Sequence, residues 1–316
     1  QNYSLMASKP YIWGTYVWNM FDFGSGIRNE GDIRGVNTKG LVTFDHKTKK
    51  DPFYFYKANW SKEPVTHITG KRYTDRAYQY ADVKVYSNAD SVTLKVNGNA
   101  VATKTAAQCA WKTCVFPNVK LSAGTNSIVA EGSHAGKAAV DTASWNLSAD
   151  NANNVYIAAG QVTTGFKSTT GHRYGSDNFF TGGLGVPLIN QGDEYVDDWA
   201  PVNVFGSTSD ANQMQYIFVR SGASFSYDIP LADGTYSVTL GFAEPNKGSV
   251  VGGRVFSVAA NGQTAISNLD VLAAAGAYRT AITRTFPVTV SGGKLKLDFA
   301  ASKGEAMVSN LTIVKQ

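Results

Sequence analysis

With 316 residues, 43% of them hydrophobic and only 17% charged, the chain is too apolar to be disordered and long enough for roughly two to three domains. The net charge of +5 comes from Lys and Arg dispersed along the chain with no basic stripe, and no apolar run approaches the roughly 20 residues of a membrane span, so neither nucleic acid nor a bilayer is an expected partner. Gly, Tyr, Thr, Val, Asn and Ser are plentiful, a mix that suits strands and tight turns, and the expected fold class is mainly β.

From Gln1 to about Pro64 the sequence is rich in aromatic residues. A short helix end comes first, then Tyr11 to Phe23 reads as a strand without strict alternation, which implies cover on both faces, as in a parallel barrel. The glycine-rich stretch GSGIRNEGDIRG follows and reads as a long loop at the end of that strand, where barrel enzymes keep their chemistry. KKDPFYFYKANW then reads as a helix, with Asp51 as N-cap, Pro52 in the first turn, and Phe53, Tyr56 and Trp60 at helical spacing.

Between 65 and 149 the pattern changes to short alternating runs: VTHITGKRY, ADVKVYSN, SVTLKVNGNAVAT, WKTCVFPNVKL, TNSIVAEGSHAG and AAVDTASWNL. Asn97-Gly98 between two such runs marks a tight hairpin, and AGTN supplies another turn. The expectation is an immunoglobulin-like β-sandwich with Trp111 and Trp145 in its core. Cys109 and Cys114, in CAWKTC, have a spacing that fits a small disulfide-closed loop in an oxidising compartment, with reduced thiols the alternative; zinc would need more ligands nearby. No charged leader followed by an apolar stretch begins the chain, so any signal peptide is expected on a longer precursor or to have been removed, and the expected location is secreted or periplasmic.

SADNANN, residues 148 to 154, has the composition of a linker. From 150 to 316 the strands include SFSYDIPL, GTYSVTLGFAE, RVFSVAANGQ, AITRTFPVTVSGGKLKLDFA and VSNLTIVK, with turn signals every ten residues or so, and the expectation is a second, larger sandwich of jelly-roll type.

The stretch YIWGTYVWNMFDFGSG, with RNEGDIRGVNTKGLVTFDHKTKKDPFYFYKANW after it, resembles the end of the catalytic (β/α)8 barrel of family-two glycoside hydrolases: the eighth strand, its active-site loop and the final helix, here residues 1 to 64. A retaining glycosidase uses two carboxyl groups about 5 to 5.5 Å apart, one as acid/base and one as nucleophile. The resemblance puts both catalytic Glu before Gln1, so no catalytic residue is expected in this chain. It does imply part of a substrate wall: Trp18 stacking on the apolar face of a sugar, with Asn19 and Asp22 as polar neighbours. Asn37-Thr38-Lys39 has the Asn-x-Lys spacing with which family-two β-glucuronidases bind the substrate carboxylate, yet GVNTKGLVTFD around it looks more like the β-galactosidase version, and galactoside is favoured over uronide. VYSNADSVTLKVNGN and LSAGTNSIVAEG resemble the immunoglobulin-like domains that follow such barrels.

The third region is similar to malectin-like carbohydrate-binding domains in YDIPLADGTYSVTLGFAEP, GGRVFSVAANGQTAISNLDVLAAAG and KLKLDFAASKGEAMVSNLTIVK. In malectin an aromatic pair after the FAE strand helps hold the sugar; here that place reads Pro245-Asn246-Lys247. The remaining candidate sugar platforms are Tyr174, Phe179, Phe180, Tyr195, Trp199 and Tyr216, in expected loops. Asp193, Glu194, Asp197 and Asp198 suit either calcium or a turn cap; no cofactor is expected, and calcium is not favoured.

Three functions from different classes follow. The first is the accessory tail of a β-galactosidase-type glycosidase, whose partners are a β-galactoside or plant polysaccharide and the N-terminal part of the barrel. The second is an enzyme active alone or as half of a split β-galactosidase or β-glucuronidase. The third is a structural or oligomerisation module.

Overall fold

Two-residue alternation over most of the chain beyond residue 65 becomes strands with their apolar positions facing inward. The computed structural model describes residues 2–30, 33–162, 168, 171–187 and 215–316. They form two units, Gln1–Asp75 with Tyr80–Asn146, and Arg76–Gln79 with Leu147–Gln316.

The first unit begins with α1 (Asn2–Ala7), the strands β1 (Phe23–Glu30) and β2 (Ile33–Asn37), and α2 (Asp51–Trp60). Then come β3 (Thr66–Ile68), β4 (Asp75–Arg76), β5 (Tyr80–Ser87), β6 (Ser91–Val96), β7 (Asn99–Thr105), β8 (Thr113–Lys120), β9 (Gly124–His134) and β10 (Lys137–Leu147). β1 and β2 pair with each other, β3-β5-β8 make a three-stranded sheet, and β4-β10-β9-β6-β7 a five-stranded one. Alternate residues of both larger sheets are buried: Val83 and Val85 of β5 and Phe116 of β8 on one, Leu94 of β6, Ile128 of β9 and Trp145 of β10 on the other. The β6–β7 hairpin turns on Asn97 (φ 51°) and Gly98 (φ 82°), the two positive dihedrals that its Asn-Gly sequence favours.

The second unit holds α3 (Ala149–Asn153), β11 (Val155–Ala158), β12 (Phe180–Pro187), β13 (Phe218–Pro230), β14 (Gly234–Phe242), β15 (Val255–Ala260), β16 (Gln263–Leu269), α4 (Val271–Ala275), β17 (Ile282–Val290), β18 (Lys294–Lys303), β19 (Ala306–Val308) and β20 (Asn310–Lys315). One sheet runs β11-β20-β14-β17 and the other β12-β13-β18-β15-β16, with β19 on β13. Val238, Leu240 and Phe242 of β14 and Leu311 and Ile313 of β20 share one buried core with Tyr227 of β13, Phe256 of β15 and Phe299 of β18. α4 is closed at both ends in the usual way, the Asp270 carboxylate accepting from the Ala273 N–H and Gly276 ending it at φ 78°.

Five local expectations give way. The run Tyr11–Phe23 is not a buried strand: up to Met20 it carries no regular element, and Trp13 and Tyr16 are each 94% exposed. A central barrel strand needs elements packed over both faces and strands paired on both edges. Among the described residues this run meets backbone donors from one side only, Leu41 N–H to Asn19 O and Val42 N–H to Met20 O. The glycine-rich stretch folds back as the β1–β2 pair rather than as a loop. α2 begins one residue early, with Lys50 at the N-cap position, because the Asp51 carboxylate is engaged by the His67 ring (2.8 Å) and the Gly70 N–H (2.8 Å) instead of capping. Residues 148–154 form α3, capped by Ser148, and Asn151 is buried, its amide donating to Ala77 O and Arg173 O; these bonds make it an ordered element. Trp111 lies outside the core at φ 52°, 42% exposed.

Candidate functional site

The segment carrying Trp18, Asn19 and Asp22 runs beside the turn Asn37–Gly40. Three backbone bonds set this register: Leu41 N–H to Asn19 O (3.0 Å), Val42 N–H to Met20 O (2.9 Å) and Asp22 N–H to Val42 O (2.9 Å). Phe23 is the antiparallel partner of Asn37, and its ring packs edge-on against Trp18 at 6.1 Å. The structure therefore brings Trp18, Asn19, Asp22 and Asn37-Thr38-Lys39 into one place.

Within it the roles differ. The Trp18 indole is 76% exposed, and the peptide linking it to Asn19 is cis. The Asn19 amide donates to Phe21 O at 2.6 Å. Asp22 is buried and acts as an anchor: one carboxylate oxygen accepts from the Gly40 N–H (2.8 Å) and from the Lys50 ammonium (2.6 Å). Asn37 is buried too, its side-chain oxygen accepting from the Lys39 N–H at 3.0 Å to close a turn of the kind asparagine favours. Lys39 is exposed on that turn. Gly40 is obligatory, because a Cβ there would come within 2.2 Å of the Asp22 nitrogen. The arrangement puts an exposed indole and an exposed lysine on neighbouring backbone segments, the kinds of group a sugar ring and an anionic or hydroxyl substituent require.

Sequence reasoning missed Gly40 and Lys50. A buried aspartate beside an apolar run is a signal that a cation must be found for it, and Lys50, at the head of α2, is that cation.

The second unit places its candidates differently. Tyr174 is buried, with its hydroxyl 2.8 Å from that of Thr312, and burial pushes it up to about 12. Tyr216 is buried against Ala243. Both rings fill the interior, which denies a sugar their faces. Phe179, at φ 66°, packs on the core with an edge contact to Tyr78. Phe180 is 41% exposed, and its ring lies 3.3 Å from the Arg220 guanidinium carbon. Tyr195, Trp199 and the acidic group Asp193, Glu194, Asp197 and Asp198 lie outside the described residues. Among the described residues no group of three or more His, Cys, Asp or Glu could hold a metal ion, and no helix is long and apolar enough to cross a membrane.

Two buried carboxylates organise the loops of this unit. Asp177 accepts from the Gly160 N–H (2.6 Å), Arg220 Nε (2.6 Å) and the Tyr227 hydroxyl (2.8 Å). Burial outweighs these partners and raises its pKa above the ordinary carboxylate value. Glu244 accepts from Arg254 Nε (2.8 Å), the Ser249 hydroxyl (2.8 Å) and the Asn246 N–H (3.1 Å). In the first unit Cys109 and Cys114 form a disulfide, S–S 2.07 Å, in the loop that carries Trp111.

Residues 153–315 match the family model of the malectin domain, and residues 79–140 match a domain of unknown function, DUF4982. Over 129 residues the chain is 46% identical to a β-glucuronidase of Bacteroides fragilis, a match covering 40% of this chain and 18% of that protein. It is 36% identical over 128 residues to a putative β-glucuronidase of Formosa agariphila, covering 38% of this chain and 15% of that one. The chain thus spans less than a fifth of the length of these curated relatives. The crystal structure of a Bacteroides uniformis β-glucuronidase shares the fold over 99% of this chain and 37% of its own, with TM-score 0.50 and 22% identity.

Proposed function

The chain belongs to the malectin domain family, and on that footing we propose that it is the C-terminal part of a secreted or periplasmic glycoside hydrolase that removes terminal β-glucuronides. The observation that carries this reading is the ordered Asn37–Gly40 turn, which presents Lys39 in the same small region as the exposed Trp18 indole. An ammonium there suits the carboxylate of a uronic acid, while the indole takes the apolar face of the ring. The relatives named as β-glucuronidases support the choice of sugar. β-Galactoside is the second reading, favoured by GVNTKGLVTFD around the same turn.

In this reading the two carboxylates of a retaining mechanism come from residues outside 1–316, and this chain binds and orients rather than cleaves. Trp18 and Lys39 touch the sugar; Asp22 and Asn37 hold the turn. The second unit offers a single half-exposed ring among the described candidates, Phe180, and Arg220 already occupies its face, so substrate recognition is assigned to the first unit. The disulfide supports an oxidising compartment.

The test is ligand-observed NMR of the purified chain with D-glucuronate and D-galactose, beside hydrolysis of the corresponding aryl β-glycosides. Saturable glucuronate binding, weakened on the order of tenfold in Lys39→Ala by loss of one charge-assisted contact, is the expected result, with no hydrolysis. Preference for galactose would establish the second reading. Turnover by the chain alone would refute the placement of the catalytic carboxylates elsewhere.

A further inference from the structure

We propose that Lys50 is a positioning residue for the substrate-facing turn, acting through Asp22 and Thr38 without touching sugar; this rests on the reading of Asn37–Gly40 given above. Lys50 stands immediately before α2, its side chain 15% exposed. Its ammonium turns inward, with 2.6 Å to the Asp22 carboxylate and 2.8 Å to Thr38 O. Its own N–H donates to Leu41 O at 2.9 Å. One residue thus grips the turn-bearing segment at two points, before and after Gly40, while fastening both to the head of α2.

The carboxylate between them is the hub. Asp22, with a side chain 5% exposed, takes the Lys50 ammonium and the Gly40 N–H on the same oxygen. Gly40 lies directly on the Asp22 backbone, with no room for a side chain between. Removing the Lys50 charge leaves a buried carboxylate with one backbone donor and leaves Thr38 O without the donor it has from Lys50. Burying such a group unpaired is costly, and the least costly relief is for the turn to lift and admit water. Lys39, immediately before Gly40 on that turn, would then lose its fixed place relative to Trp18. A lysine that bound substrate directly would project its ammonium outward; this one is spent on protein acceptors.

The experiment compares the full chain with Lys50→Met and Lys50→Arg, reading amide exchange at Gly40 and Leu41 and affinity for D-glucuronate. The expected result in Lys50→Met is exchange at Gly40 faster by on the order of tenfold, the loss of one charge-assisted hydrogen bond, and affinity lower by a similar factor, both restored in Lys50→Arg. Unchanged Gly40 exchange in Lys50→Met overturns the proposal, as does lost protection with retained affinity. If the unmutated chain binds no glucuronate, the functional reading above fails, and Gly40 exchange with its recovery in Lys50→Arg still decides the role of Lys50. Should Lys50→Met not fold, nitrogen-detected NMR of the unmutated chain decides. A Lys50 ammonium in slow exchange, identified by its disappearance in Lys50→Arg, supports the inward grip, and a freely exchanging one overturns it.

Discussion

Replacing both Cys109 and Cys114 with serine should lower the stability of the first unit by about 2 kcal/mol, the chain-entropy value for a loop with a sequence separation of 5. The crosslink closes over Trp111 and Lys112, both at positive φ (52° and 56°), a conformation that non-glycine residues adopt only when their surroundings hold them there. Trp111 in turn makes an edge contact with Tyr3 of α1 at 5.7 Å, and its carbonyl accepts from the Asn59 amide of α2 at 3.2 Å. Opening the loop therefore also loosens the two helices on that side. Five of the six tryptophans, Trp13, Trp18, Trp60, Trp111 and Trp145, belong to this unit and Trp199 to the other, so tryptophan fluorescence in a Trp199→Phe background reports on it. Its thermal midpoint should fall by roughly 4–8 °C for a unit of this size, and reduction of the unmutated protein should reproduce much of the shift. An unchanged midpoint in the double-serine variant would refute the reasoning. So would two titratable thiols in protein denatured without reductant, which would also remove the support for an oxidising compartment.

Three further outcomes are expected. Gly40→Ala forces a methyl to within 2.2 Å of the Asp22 nitrogen; by overpacking it should cost about 1–3 kcal/mol in urea titration, and wild-type stability would show that the turn can move away freely. Arg220→Met leaves the Asp177 carboxylate buried without its cation and should cost roughly 3–5 kcal/mol, with a double-mutant cycle on Asp177→Asn giving strong non-additivity. For Asp51, burial raises the pKa but hydrogen bonds from His67 and the Gly70 N–H, with the charges of His67 and Arg72, bring it below the ordinary value of 3.8. Its contribution is thus present above that value and lost as pH falls through the lower folded one, so the stability gap between the unmutated chain and Asp51→Asn should be full at neutral pH and close in acid. A gap that widens in acid would contradict the sign.

What the sequence discloses is local periodicity. The paired sheets were legible because residues such as Val83 and Val85, or Val238 and Leu240, alternate with polar neighbours, and Asn97-Gly98 needs no tertiary context to turn. Tyr11–Phe23 was misread because apolar character reports a tendency to be covered, while cover depends on partners that the run itself does not encode. Tyr174 and Tyr216 were misread for the converse reason: an aromatic in an irregular segment can still point inward, as the Tyr174–Thr312 hydroxyl contact across 138 residues shows. The site was half legible. The Asn37-x-Lys39 spacing stands in the sequence, but its support reaches across 18 residues from Gly40 to Asp22 and 28 from Lys50 to Asp22, distances at which no local pattern operates.

The three carboxylates buried among the described residues share one construction, and the difference between them bears on function. Asp22, Asp177 and Glu244 each gather a backbone N–H from a loop (Gly40, Gly160, Asn246) and one cation from elsewhere in the chain (Lys50, Arg220, Arg254). Such pairs add little net stability, because the attraction is offset by the cost of dehydrating both charges; what they do impose is geometry, since a charge that leaves its place is left unpaired. Around Asp177 the loops so held are backed by buried side chains, Tyr227 and Arg220 among them. Around Asp22 the held element is a turn that carries an exposed lysine in the same small region as an exposed indole. Under the reading proposed above, the constraint on this turn serves to hold Lys39 in place beside Trp18 for a ligand.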